Sequence, residues 1–491
     1  MRNFFNKAVL KISSFFDTSY FAMMLAGIEL LCYYLGLDLV VIVVISLVTS
    51  FAFLFKKNLN CLLVIFLFMS TMISLKNSPA NEDLFSNSGY YFQPGVYITC
   101  IVFAAIPVGI VIFTAIKNFV QKKISFDKVA LSTILVGIAF LLSGSFSKTY
   151  NPLNTMFGGF MFFFFVVLFF AVIPYVNIDK NSISIVSKQV AIFLLVPLVE
   201  MIVYYIVYFA QGNEFDYRLY ILLGWGNRNT LGMLFTVTLP FLLFLIKYET
   251  KKGYKALFGI LAVLSITGTV FTFSRQAYLF MFVLITFYLG ILLYTANNLT
   301  RNKYKRLLFF WCVGIAGLLL ACEISGFFES IGMNGVSYSR IGLWLDAVKA
   351  FKENMFFGEG FFYNGGDPKV QLASIMPYCC HNTLFQMIGS CGLIGIVTYV
   401  FYRIATIKKV MSGITVEKSY PAMACAIIIL MSLIDIHLFD LFGSGLYVIL
   451  LAMSMAKNNL SENNNVSKQD IKEDAVEIKN NEDQICLEEK I

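Results

Sequence analysis

A helix drawn through Val40 to Phe55, Phe160 to Ile173 or Ala256 to Phe273 is apolar on every face, and such runs are about the 20-residue length that spans a bilayer. A soluble core would alternate apolar and polar faces. Lipid offers no partner for peptide groups, so the backbone in these runs must be helical. A closed barrel would instead need ~10-residue segments of alternating hydropathy, and none is visible. Composition agrees, with 58% hydrophobic residues, 13% charged and 51 Phe. The predicted fold is an all-α polytopic membrane helix bundle of about fourteen transmembrane helices. The spans are expected near 20–36, 39–55, 60–75, 96–116, 129–145, 155–176, 189–210, 225–246, 256–273, 276–296, 307–322, 382–404, 420–436 and 440–456.

The distribution of Lys and Arg orients these spans. Of 37 such residues, 28 fall on one side of the predicted topology: the N-terminus, Lys56 and Lys57, the clusters Lys117 to Lys128, Lys247 to Lys255 and Arg301 to Arg306, Lys180, Lys188, Arg403, Lys408, Lys409, Lys418 and the C-terminal tail. The positive-inside bias makes that side cytoplasmic. The expected organisation is a cytoplasmic N-terminus over 1–19 without a cleaved signal peptide, helices 1–11 over 20–322, a large extracytoplasmic loop over 323–381, helices 12–14 over 382–456, and a disordered cytoplasmic tail over 457–491. The net charge of +8 follows from this topology and from acidic lipid headgroups. Nucleic acid is not expected as a partner, because no basic stripe is interleaved with exposed aromatics.

The ten cysteines lie mostly within the apolar runs and show no paired CxxC spacing, so neither a zinc site nor a disulfide framework is indicated. Cys379, Cys380 and Cys391 cluster near the loop end, where a disulfide is sterically disfavoured between the adjacent pair. With only His381 and His437 as histidines, neither beside an acidic ligand cluster, no metal is expected.

Nine basic residues remain on the extracytoplasmic side: Lys76, Lys148, Arg218, Arg228, Arg275, Arg340, Lys349, Lys352 and Lys369. A guanidinium carries a permanent charge on a planar fork that fits phosphate oxygens in pairs, so the four arginines point to an anionic ligand; snorkelling to the interface is the alternative for any one of them. Arg275 lies in FTFSRQAYLF, a tight hairpin whose neighbours Thr272, Ser274 and Gln276 suit a protein-lined cavity. Arg340 precedes an amphipathic helix with Ile341, Trp344, Leu345, Val348, Phe351 and Met355 on one face, read as an interfacial helix on the membrane; the alternative is an ordinary amphipathic helix covering the bundle, with Arg340 paired to Asp346 or Glu323. His381, followed by Asn382 at the start of a span, offers either a general base or a helix cap. His437, between Asp435 and Asp440, is the competing base. Glu29 and Glu200, inside apolar runs, are weak support for an ion path.

Four segments then come in a telling order: GWGNRNTLGMLFTVTLP (224–240), FTFSRQAYL (271–279), SRIGLWLDAVKAFKENMFFGEGF (339–361) and HNTLFQMIGSCGLIGI (381–396). Together they resemble the O-antigen ligase and O-antigen polymerase family of bacterial polysaccharide enzymes. The resemblance implies metal-independent, inverting glycosyl transfer, without a cofactor, at the extracytoplasmic face of the bacterial cytoplasmic membrane. The implied donor is a glycan on undecaprenyl pyrophosphate. Arg275 and Arg340 would hold its pyrophosphate and His381 would activate the acceptor hydroxyl. Arg218, Arg228, Asn229, Tyr338 and Asn382 are the expected further substrate contacts. A polymerase, taking another lipid-linked glycan as acceptor, is favoured over a ligase acting on lipid A core or protein. A flippase and a chain-length regulator of the same pathway are the expected protein partners. A lipid-linked saccharide transporter, the reading from another class, would place charges along the middle of several spans rather than at the rim.

Overall fold

The computed structural model describes residues 2–35, 37–72, 94–148, 150–212, 228–294, 296–324, 338–362 and 380–456. Lys76, Arg218, Lys369, Cys379 and the tail 457–491 lie outside them. The elements are α1 (Arg2–Phe15), α2 (Ser19–Leu35), α3 (Asp38–Phe55), α4 (Leu62–Met72), α5 (Pro94–Val120), α6 (Lys128–Leu141), α7 (Leu153–Phe162), α8 (Phe169–Val172), α9 (Lys180–Ala210), α10 (Arg228–Tyr248), α11 (Lys252–Phe271), α12 (Arg275–Tyr294), α13 (Asn298–Ile324), α14 (Tyr338–Glu353), α15 (Thr383–Ser412), α16 (Val416–Met431) and α17 (Leu441–Ser454). A π-helical turn, Phe163–Leu168, joins α7 to α8. No strand occurs among the described residues.

Helix occupies each of the fourteen predicted positions, but length divides them. Among the described residues seven helices are long and apolar enough to cross a membrane, and an eighth follows if Val9–Phe15 and Ser19–Cys32, which meet at 76°, count as one broken span. Leu39–Phe55, Leu62–Thr71, Lys128–Leu141 and Gly443–Ser454 are apolar but shorter. At 1.5 Å rise per residue, helices of such length reach roughly 15–26 Å, short of a ~30 Å hydrocarbon core. The chain is thus an all-helical, multi-pass membrane protein, in which apolarity marked where helices form and overstated how far some of them reach.

The centre is occupied by α4, α10 and α17. Leu62 to Leu67, Thr230 to Leu245 and Leu446 to Met453 are buried almost without interruption. Outward faces stay apolar, with Phe113, Ile206, Val263 and Val397 exposed. Helices in lipid gain no hydrophobic drive from meeting one another, so close backbone approach and hydrogen bonds hold them. At Gly232 of α10, a Cβ would stand 2.6 Å from Ala277 Cβ and 3.2 Å from Ser274 Cβ of the α12 start, so only glycine allows this contact. Ser265 Oγ of α11 donates to the Phe235 carbonyl of α10 at 3.0 Å.

The helix predicted to lie on the membrane, α14, has a protein partner: it packs along α15. The chain following it folds back into a break in α15. Leu393 N donates to Met355 O at 2.8 Å and Ile394 N to Phe356 O at 3.2 Å, while Glu359 N and Gly360 N donate to the carbonyls of Gly389 and Ser390. The break is at Gly392, whose φ of 63° and ψ of −153° are open to glycine alone. A Cβ there would lie 2.6 Å from both Gly358 N and Met355 O.

Candidate active site

Three helix starts meet at one end of the bundle, and each brings an arginine. Arg228 opens α10, Arg275 opens α12, and Arg340 lies in the first turn of α14. The Arg275 guanidinium feels the positive charges of both Arg228 and Arg340, so the three cations share one neighbourhood. Arg275 is exposed and the other two are half-buried, which keeps the cluster reachable. Helix N-termini present unpaired N–H groups and the positive end of the helix dipole, adding to the preference for an anion.

His381 stands immediately before α15 with φ 46°, in the left-handed region that histidine visits rarely. Its flanks hold that conformation. Cys380 N donates to Gln386 Oε1 at 2.9 Å, and the Cys380 carbonyl accepts from Trp344 Nε1 at 3.1 Å. The Trp344 indole also stacks on Phe385, with ring centroids 5.0 Å apart and planes at 3°. Asn382 caps α15, accepting from Leu384 N and Phe385 N, and donates to the Leu433 carbonyl at 2.7 Å. Thr383 N and Oγ1 both donate to Ser432 O, at 2.9 and 2.7 Å. The start of α15 is thereby tied to the turn between α16 and α17.

That turn supplies the partner of His381. Asp435, only 2% exposed at its side chain, places Oδ1 2.9 Å from His381 Nδ1. Oδ1 also accepts from Ile436 N at 2.9 Å, and Oδ2 accepts from Asn229 Nδ2 at 2.7 Å and from Gln276 Nε2 at 3.4 Å. Four donors account for the acceptor sites of an ionised carboxylate. Burial by itself would push the Asp435 carboxyl up; the hydrogen bonds from His381 and Asn229 and the nearby imidazoles outweigh it and hold the carboxyl well below the usual carboxylate range. An ionised carboxylate only accepts, so in the neutral ring the proton sits on Nδ1 and Nε2 keeps its lone pair. The His381 side chain is 38% exposed, which leaves it open to a ligand.

His437 has the opposite environment. It is 3% exposed and lies 3.0 Å through Nε2 from Gln276 Nε2. An amide nitrogen donates, so His437 Nε2 accepts. Burial pushes the imidazole below its ordinary value, against the pull of Asp435. Of the two candidate bases, His437 is sealed and His381 is accessible.

Arg228, Arg275 and Arg340 form one cluster, and each adjoins the histidine network in sequence: Asn229 follows Arg228, Ser274 precedes Arg275, and Trp344 lies one turn beyond Arg340. Asn229 and Asn382, expected as substrate contacts, direct their side chains to Asp435 and Ser274 and to the start of α15 with Leu433, respectively. Tyr338 begins α14. Asp435 was not legible in the sequence as the partner of His381, 54 residues away; the nearest signal is the carboxylate itself in LIDIH. Among the described residues no group of three or more His, Cys, Asp or Glu is placed to hold a metal. Cys380 and Cys391 are buried.

A comparison with curated proteins gives no match. Residues 260–400 match the family described as O-antigen ligase. The matched segment includes Arg275, Arg340 and His381, while Arg228, Asn229 and Asp435 lie outside it. Over residues 260–400 the chain is thus similar to the O-antigen ligase family, and three of the four segments that carry the resemblance, at 271–279, 339–361 and 381–396, fall within the match.

Proposed function

We propose that the protein is a polysaccharide polymerase of the bacterial cytoplasmic membrane. It transfers a glycan from undecaprenyl pyrophosphate to a hydroxyl of a second lipid-linked glycan at the extracytoplasmic face. The observation that carries this reading is the pairing of an accessible imidazole, its Nδ1 held by a buried carboxylate, with three guanidiniums tied to the same network. His381 Nε2 takes the acceptor proton as the hydroxyl oxygen bonds to the anomeric carbon. The bond from that carbon to the phosphate oxygen breaks, and its electron pair leaves with the diphosphate. The charge growing there meets Arg275 and Arg340, with Arg228 beside them, preorganised at helix N-termini. Asp435 stabilises the imidazolium that forms and keeps the ring oriented, a positioning role. Attack opposite the leaving group inverts the anomeric centre.

The test is purified protein in lipid with an undecaprenyl-pyrophosphate-linked repeat unit. A ladder of products supports polymerisation, and no transfer to any glycan overturns the reading. A single addition to lipid A core or to protein would favour the second reading, a ligase, which the matched family's description supports. EDTA should leave the rate unchanged, and strict dependence on an added divalent cation would contradict the guanidinium mechanism.

A further inference from the structure

Asn229 and Ser274 neighbour the arginines in sequence, yet their side chains turn away to a single buried contact. Ser274, fully buried, donates through Oγ to Asn229 Oδ1 at 2.8 Å. With its oxygen so engaged, the Asn229 amide can present only its nitrogen to Asp435 Oδ2, at 2.7 Å. Ser274 is itself held by the turn before α12: Phe273 has φ 52°, and Ser274 N donates to Thr272 Oγ1 at 3.3 Å. The close approach at Gly232 presses the starts of α10 and α12 together at this level. A hydrogen-bonded chain therefore joins Ser274, Asn229, Asp435 and His381, with the carboxylate accepting from both sides, and its first two members are covalent neighbours of Arg275 and Arg228.

We infer that Asn229 and Ser274 are positioning residues, which fix the carboxylate behind the base in register with the guanidiniums that receive the leaving group. The inference rests on the proposed glycosyl transfer and deepens it. It assigns Asn229 to the base rather than to the substrate. Its physical content is directional: Ser274 orients the amide, the amide satisfies one oxygen of Asp435, and the other oxygen is left to His381. Without the Asn229 donor the carboxylate anion is less satisfied and interacts more strongly with the cationic form of the base it faces. The groups that titrate or carry charge around this chain are His381, Asp435, His437, Tyr278, Arg228, Arg275 and Arg340, and the two substitutions that test it leave all of them in place.

The experiment measures kcat/KM against pH for the full-length protein in lipid, with a lipid-pyrophosphate glycan as donor, for the parent, Asn229→Ala, Ser274→Ala, the double variant and His381→Ala. The expected result is a loss of roughly 10–100-fold for Asn229→Ala, as for other residues that orient a functional histidine. The acid limb moves to higher pH, Ser274→Ala gives a smaller change of the same sign, and the double variant is no worse than Asn229→Ala alone. If Asn229→Ala fails to accumulate in the membrane, Ser274→Ala, which removes a single oxygen, carries the pH measurement. An unmoved acid limb in the Asn229 and Ser274 variants, or additive losses, overturns the inference while an inactive His381→Ala leaves the transfer reading standing. A fully active His381→Ala removes both.

Discussion

His381 Nδ1 and Asp435 Oδ1 lie 2.9 Å apart although 54 residues separate them in the chain. The pair joins the start of α15 to the turn after α16, and two hydrogen bonds from Thr383 to Ser432 O hold the same junction. Replacing Asp435 with Asn keeps the shape, but the amide can turn its NH2 toward Nδ1 and so favour the wrong tautomer. Transfer should fall by about 10²–10⁴-fold, as when other histidine bases lose their carboxylate, with protein amount unchanged. Undiminished chain length in Asp435→Asn would end the role assigned to this carboxylate.

Arg275 should not tolerate lysine. A point charge cannot reproduce the planar fork on two phosphate oxygens. Arg275→Ala should lose about 10²–10³-fold in kcat, the range for one preorganised donor at a developing charge. Arg275→Lys should recover only part of that, read as initial rates with a defined lipid-pyrophosphate donor.

Trp344 couples the helix of Arg340 to the backbone of His381 through its stacking on Phe385 and its bond to Cys380 O. Trp344→Ala should raise the KM for donor and lower kcat together, since both charges lose their common support. Trp344→Phe keeps the stacking, worth about 0.5–1.5 kcal/mol beyond burial, and should fall between the two. Equal behaviour of Ala and Phe would show that the ring contact is irrelevant.

Gly392 should be intolerant of any side chain. Alanine there faces a positive φ and backbone atoms of 355–358, at a cost of about 1–3 kcal/mol for the conformation alone. The expected phenotype is a lower melting temperature in detergent and reduced membrane accumulation, rather than a stable inactive protein. Parental stability in Gly392→Ala would contradict the docking of 354–360 onto α15.

His437 gives a pH dependence of stability. Its pKa is depressed in the folded state, so between that value and the unfolded value of about 6.5 the unfolded chain binds more protons. Stability should therefore fall as pH drops below about 6.5 and level off beneath the folded value. Asp435, also depressed, adds a separate loss at lower pH, below the unfolded carboxyl value of about 3.9. His437→Gln should remove the first slope and keep the second, measured as melting temperature against pH. A slope near 6.5 that persists in His437→Gln would assign it elsewhere.

The sequence by itself determined what is local. All-round apolarity located the helices, because lipid forces every such run to satisfy its own peptide groups. Arginines on the extracytoplasmic side of the predicted topology, and a histidine ahead of a span, were legible as candidates, and the family resemblance suggested their roles. Only the tertiary structure decided who meets whom. It gave Asp435 to His381 and sealed His437 beneath Gln276, although the carboxylate lies two residues from the one histidine and 54 from the other. It turned Asn229 toward a carboxylate 206 residues away, and it set α14 along α15. Apolar periodicity repeats within one helix and reads out directly, whereas a side chain's partner depends on how helices distant in sequence come to lie side by side.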